Sequence, residues 1–164
     1  MKIFGFAGWS GGGKTTLIEK LIPRFAMRGL SVSLIKHAHH EFDIDRPGKD
    51  SYRHRKAGCT EVMVASDLRW ALMHEMRGNV EESLDALLMR MAPVDLLLVE
   101  GWKQLPMPKL EVYREANGKP PLYPDSEEII AIVSDTQMHT TLPRFGINEH
   151  DRIAQFVLAS VGLT

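Results

Sequence analysis

An apolar run, Lys2-Ile3-Phe4-Gly5-Phe6-Ala7, leads directly into Gly8-Trp9-Ser10-Gly11-Gly12-Gly13-Lys14-Thr15, and a helical pattern opens at Thr15. The octapeptide satisfies G-x-x-x-x-G-K-[ST], and its place between a strand and a helix makes it a phosphate-binding loop rather than a chance match. Gly8, Gly11, Gly12 and Gly13 carry no Cβ, so the loop is free to take positive φ and to aim successive N–H groups at one point. The helix behind it adds unpaired donors and a partial positive charge. Lys14 is placed to neutralise β- and γ-phosphates and Thr15 to offer its hydroxyl to Mg²⁺, with Ser10 and Thr16 completing the lining. A chain with this segment is expected to bind a nucleoside triphosphate.

The rest of the pattern predicts the sheet that such a loop needs. Residues 15–29 read as a helix with Leu17, Leu21 and Phe25 on one face, Gly29 as its C′ residue and Pro23 as an internal fault. Val32–Ile35 is a second strand, which makes a right-handed βαβ unit. A polar loop over 37–49 and a short helix over 50–57 follow. Glu61–Ala65 and Arg69–His74 read as a hairpin across Ser66-Asp67, and 80–91 as an amphipathic helix. Val94–Val99 is an unbroken apolar strand; Lys109–Arg114 and Ile129–Val133 are later strands. Between those two, Asn117-Gly118 and Pro120, Pro121 and Pro124 mark an irregular exposed stretch, and Asn148 opens a last amphipathic helix. We expect the 109–114 strand to lie at a sheet edge and, with the Pro-rich stretch, to form the dimer or partner surface. The alternation predicts an α/β, P-loop NTPase fold: a mostly parallel central sheet with helices on both faces, in a single nucleotide-binding domain over 1–164.

Composition excludes several other classes. Twenty Lys and Arg stand against 21 Asp and Glu with no basic stripe, which argues against a nucleic-acid partner. No apolar run approaches the ~20 residues that a membrane span requires. One cysteine, Cys59, and an N-terminus without a leader pattern fit a reducing, cytoplasmic setting.

A phosphate loop also needs an acidic group near its metal. Glu100 lies at the C-terminal end of the apolar strand, where open α/β sheets place ligands, whereas Asp95 is about 16 Å away at the other end. The loop Lys36-His37-Ala38-His39-His40 with Asp43 and Asp45 precedes Gly48-Lys49-Asp50-Ser51. Asp45 is a second candidate contact to Mg²⁺, and Lys36 or Lys49 a candidate for phosphate charge. Its histidines also suit a structural zinc. Asp135, just past the Ile129–Val133 strand, is the candidate guanine contact, although [NT]-K-x-D is missing. Trp9 and Trp102 read as packing residues or as covers for a planar ligand. Arg53 and Arg55 are the candidates for a cis arginine finger.

The loop Gly-Trp-Ser-Gly-Gly-Gly-Lys-Thr-Thr, the run Lys36-His37-x-His39-His40, the stretch Asp45-x-Pro-Gly-Lys-Asp-Ser51 and Val99-Glu100-Gly101-Trp102-Lys103 together resemble the molybdopterin-guanine dinucleotide biosynthesis protein B family. The resemblance runs from residue 1 to the final helix. It implies a dimeric GTP-binding adaptor of slow intrinsic hydrolysis that assists the guanylyltransferase step of molybdenum cofactor maturation, with that enzyme, and the cofactor itself, as candidate partners. Its fold would be that of the signal-recognition and MinD class. Carried over, Gly11, Gly13, Lys14, Thr15 and Thr16 would hold phosphates, and Asp45 and Glu100 would stand around Mg²⁺. Lys14, Glu100 and Asp45 are then the expected groups of any hydrolysis. A small-metabolite kinase using ATP and a non-catalytic nucleotide-dependent binding module are the alternative readings.

Overall fold

The computed structural model describes residues 1–38, 42–102 and 104–163. Its elements are β1 (Lys2–Ala7), α1 (Lys14–Ala26), β2 (Val32–Lys36), α2 (Asp50–Lys56), β3 (Glu61–Ala65), β4 (Trp70–His74), α3 (Leu84–Leu88), β5 (Leu96–Glu100), β6 (Lys109–Tyr113), β7 (Ile129–Ser134), β8 (Arg144–Gly146) and α4 (His150–Ser160). The chain divides into two compact units, one of residues 1–38 with 93–164 and one of 39–92.

In the larger unit six strands pair in the order β2-β5-β1-β6-β7-β8, every pair parallel. The expected mostly parallel sheet is therefore present. Side chains of a strand alternate between faces, and one face collects Phe4, Phe6, Leu96, Leu98, Leu110, Val112, Ala131 and Val133. Leu17, Leu21 and Phe25 of α1 and Ile153 and Val157 of α4 pack onto it, so both long helices of this unit share a single core. The opposite face is met by irregular connections: Met107 lies against Gly5, and the buried Glu111 carboxylate accepts the N–H groups of Leu122 and Tyr123 at 2.7 and 2.9 Å. Burial pushes the Glu111 carboxyl up and the Lys109 ammonium, which donates to the Leu105 carbonyl, down.

Helix α1 continues through Pro23, and its end is a Schellman motif. Gly29 at φ 78° donates to the Ala26 carbonyl and Leu30 N–H to the Phe25 carbonyl, so Gly29 is C′ as its sequence position predicts. At the opposite end of β5, Ser31 donates its N–H and its hydroxyl to Asp95 Oδ2 at 2.8 and 2.6 Å. These bonds hold the Asp95 carboxyl below its usual range. With the folded value lowered, this stabilisation is complete above the unfolded value and is lost as pH falls through the folded one. Asp95→Asn is therefore expected to destabilise most at neutral pH and progressively less below about pH 4, read as urea midpoints across pH 3–7.

Two expectations are corrected, and one strand is added. Strand β6 is not an edge: it lies between β1 and β7, and the described edges are β2 and β8. Its alternation of Lys109 and Glu111 with Leu110 and Val112 imitates a half-exposed strand, yet all four side chains are buried. The helix predicted over 80–91 shrinks to Leu84–Leu88, N-capped by Ser83, because Val80 and Met89 are left in solvent and Leu84 alone of the helix is buried. Strand β8 was not anticipated; three residues are too short to show a period.

The smaller unit holds α2, the antiparallel β3–β4 hairpin and α3. Arg55 is its hub, with Asp43 at 2.6 Å and Glu75 at 2.7 Å. The hairpin turns over Ser66–Arg69 and pairs Met63 with Leu72 and Ala65 with Trp70. Met63, Leu68, Trp70 and Leu72 are exposed. No helix among the described residues is long and apolar enough to cross a membrane.

Candidate functional site

Between β1 and α1 the chain passes close to the backbone of β6. Gly8 sits at φ 136°, and a Cβ there would stand 2.4 Å from the Val112 carbonyl oxygen of β6. The loop that follows delivers Gly13 as the N-cap of α1, without a side-chain cap and without an acidic residue in the first turn. The first N–H groups of α1 therefore have no carboxylate competing with an incoming anion. Lys14 folds back over the loop, its Nζ donating to the carbonyls of Gly8 at 2.8 Å and Trp9 at 3.0 Å. Trp9 Nε1 donates to the Pro120 carbonyl at 2.7 Å, and Asn117 Nδ2 to that of Ser10 at 3.4 Å, so the Pro-rich stretch is tied to the loop.

Parallel register supplies the acidic half. Lys36 pairs with Glu100, and Phe6 pairs with Glu100 from the other side. Glu100 shares the parity of Leu96 and Leu98 and so faces α1. There Thr15 Oγ1 donates to Glu100 Oε1 at 3.0 Å. Lys36 Nζ stands 3.5 Å from Thr15 Oγ1 and 3.6 Å from Glu100 Oε1. Glu100 is 4 % exposed, and its Oε2 is buried with no hydrogen-bond partner among the described residues. A buried carboxylate oxygen left open beside a hydroxyl is a donor set for a hard divalent cation such as Mg²⁺. Beyond the strand ends, Gly101 at φ 107° leaves room for His37, where a Cβ would stand 3.0 Å from the His37 carbonyl oxygen. His37 N–H donates to the Glu100 carbonyl at 2.8 Å, and its ring lies 5.0 Å from that of Trp102. Both tryptophans thus have protein partners.

Asp45 belongs to the smaller unit, where its Oδ1 accepts the Ser51 hydroxyl at 2.7 Å and its Oδ2 stands 3.5 Å from Arg55 Nε. Arg55, a candidate arginine finger, is enclosed by Asp43, Asp45 and Glu75. Arg53 lies 3.9 Å from Asp50 on its own helix, and Lys49 is the N-cap residue of that helix. His39 and His40 fall outside the described residues, among which no group of three metal-ligating side chains occurs.

Asp135 reaches the α1 side of the sheet, but its Oδ2 accepts Arg114 Nη1 at 2.9 Å. Arg114 holds the Asp135 carboxyl below its usual range. Sequence reasoning passed over Arg114, whose guanidinium nitrogens lie 3.7 and 3.8 Å from the point a Gly13 Cβ would occupy. Only the β6–β7 register, which pairs Tyr113 with Ser134, makes Arg114 and Asp135 neighbours.

Residues 3–135 match the sequence model of the family described as molybdopterin guanine dinucleotide synthesis protein B. The molybdopterin-guanine dinucleotide biosynthesis adapter protein of Escherichia coli K12 is 43% identical over 159 residues, covering 95% of this chain and 91% of the relative. The protein of the same description from Haemophilus influenzae is 41% identical over 158 residues, covering 94% and 86%. Among solved structures, a crystal structure of molybdopterin-guanine biosynthesis protein B superposes with a TM-score of 0.75 at 28% identity, covering 98% of this chain and 99% of that one. The Bacillus subtilis homologue, at 24% identity, shares the fold with a TM-score of 0.78 over 98% of both chains.

Proposed function

The chain belongs to the molybdopterin guanine dinucleotide synthesis protein B family, and on that basis we propose that it binds GTP with Mg²⁺ as an accessory protein to guanine dinucleotide attachment in molybdenum cofactor biosynthesis. The observation that carries the reading is the meeting of Thr15, Glu100 and Lys36 at the mouth of an uncapped glycine loop. Lys14 exchanges its bonds to the Gly8 and Trp9 carbonyls for phosphate oxygens, while the loop and first-turn amides of Gly11 to Thr16 cradle the chain of phosphates. Thr15 and Glu100 would hold Mg²⁺, which would supply charge neutralisation at the β- and γ-phosphates. Lys36, 3.6 Å from Glu100 Oε1, would add a second positive charge on the phosphate side. Glu100 is also the group to orient water in a slow hydrolysis. Asp45, in the smaller unit, accepts the Ser51 hydroxyl at Oδ1, while its buried Oδ2, 3.5 Å from Arg55 Nε, has no hydrogen-bond partner among the described residues.

The proposed partner is the guanylyltransferase of the pathway, in keeping with the adapter description of the relatives. A homodimer is proposed as the working form. Met63, Trp70 and Leu72 give the hairpin an exposed apolar face, and a second copy would remove it from water. The exposed thiol of Cys59 suits the cytoplasm, where we place the protein.

Thermal unfolding with GTP, ATP and GDP, each with and without Mg²⁺, tests the reading. A ligand at a hundredfold excess over its Kd stabilises by about 2.7 kcal/mol, which moves the midpoint of a chain this size by roughly 5–10 °C. We expect the largest shift with GTP and Mg²⁺, and we expect Glu100→Gln to lose the Mg²⁺-dependent increment while keeping the rest. An ATP shift equal to that of GTP would overturn the guanine assignment, and no shift with any triphosphate would overturn the nucleotide site.

A further inference from the structure

Next to the first turn of α1, on the same face of the sheet, lies a cavity of about 130 Å³. Gly13 and Thr16 form one side of it, Val112 and Arg114 at the end of β6 a second, and Ile147 and Asn148 after β8 a third. We infer that this cavity is the nucleoside subsite of the phosphate loop, with the Arg114 guanidinium as the flat surface on which the base stacks and Asp135 as the residue that positions it. The inference rests on the nucleotide reading above and adds what that reading lacks, a place for the base.

Continuity comes first. Gly13 and Thr16 belong both to the anion-binding turn and to the cavity wall, so the cavity adjoins the place where phosphates would sit. Size agrees: apolar cavities of about 150 Å³ accept a benzene ring, so this one takes a ring system and not a whole nucleotide. Its walls mix the aliphatic side chains of Leu17, Val112, Val133 and Ile147 with the cations of Lys20 and Arg114; aliphatic walls and a guanidinium suit the face of a heteroaromatic ring, and Lys20 adds charge for an anionic ligand.

The guanidinium is held for that role. Its Nε and Nη2 lie against Gly13, where no side chain intervenes, and Nη1 is bound to Asp135 Oδ2 at 2.9 Å. The pair is about two-thirds buried, with side chains 34% and 29% exposed. With one oxygen bound to Arg114, Asp135 serves the base through the arginine. The Asn148 amide makes no side-chain hydrogen bond among the described residues and stands at the wall as the group for the base edge.

The experiment compares GTP with inorganic tripolyphosphate, which carries the phosphates without a nucleoside, by calorimetric titration of the full chain. Arg114→Met is expected to weaken GTP roughly tenfold and tripolyphosphate less than about threefold, the size of a partly desolvated cation–π stack. Retained tripolyphosphate binding shows at once that the variant is folded. Asp135→Asn is expected to give the same selectivity for loss of GTP, at a smaller factor, because the guanidinium stays but loses its anchor. Equal losses for both ligands would make Arg114 a phosphate contact and overturn the subsite, as would unchanged GTP affinity in Arg114→Met. Failure of the unmodified protein to bind either ligand would instead overturn the nucleotide reading itself.

Discussion

Replacing Lys14 with alanine is expected to weaken GTP binding by roughly two to three orders of magnitude, because it removes the ammonium that faces the β- and γ-phosphates in a partly buried site. The fold should survive. In the free protein the Lys14 ammonium donates to the loop carbonyls of Gly8 and Trp9, and loss of such hydrogen bonds costs about 1 kcal/mol each. The amides of the loop and of the first turn of α1 remain in place. Isothermal titration with GTP and Mg²⁺, alongside the urea midpoint of the ligand-free variant, separates the two effects. An affinity within a few-fold of the unmodified protein would show that this loop does not hold the phosphates.

Gly8→Ala should produce the largest loss of stability among single-methyl changes in the loop, about 3 kcal/mol or more. A φ of 136° costs an L-residue on the order of 1–3 kcal/mol, and the added methyl would lie 2.4 Å from the Val112 carbonyl oxygen. That oxygen belongs to a central strand, so relief requires moving β6 against β1, an overpacking cost of about 1–3 kcal/mol more. Gly29→Ala is the control: its φ is 78°, but a Cβ there meets nothing within 4 Å, so only the backbone term of about 1 kcal/mol remains. Urea unfolding of both variants isolates the close approach. Equal losses would mean that the contact with β6 relaxes at no cost.

Much of the architecture was legible because it depends on neighbours in the chain. The β1–loop–α1 unit, the C′ role of Gly29, the hairpin and the apolar β5 strand all follow from residue types within a few positions of one another. Errors concentrated where burial was decided elsewhere. Val80 and Met89 continue a helical period, but solvent surrounds them, so nothing extends α3 past Leu88. The 109–114 strand carries Lys109 and Glu111 in alternation with apolar residues and was expected at a sheet edge, but β6 lies inside the sheet, where these side chains bond to the connections at Leu105 and at Leu122–Tyr123.

The candidate site divides the same way. Gly8 through Thr16 form one contiguous segment, so their geometry follows from local backbone freedom and helix polarity. Glu100 could be placed because it follows the apolar run Leu96–Val99 at the C-terminal end of a strand, where open α/β sheets hold ligands; which face it takes was decided by the fold. The proximity of Lys36 to Glu100, and of Arg114 to Asp135, depends instead on which strand lies beside which. Parallel strands buried on both faces carry similar apolar runs, and the long crossovers between them leave pairing order open. Sequence by itself determined the phosphate loop and the strand end that faces it. The tertiary structure decided which charges from distant segments meet there, because packing of α1 and α4 on one face of the sheet selects the strand order, and parallel register then sets the neighbours.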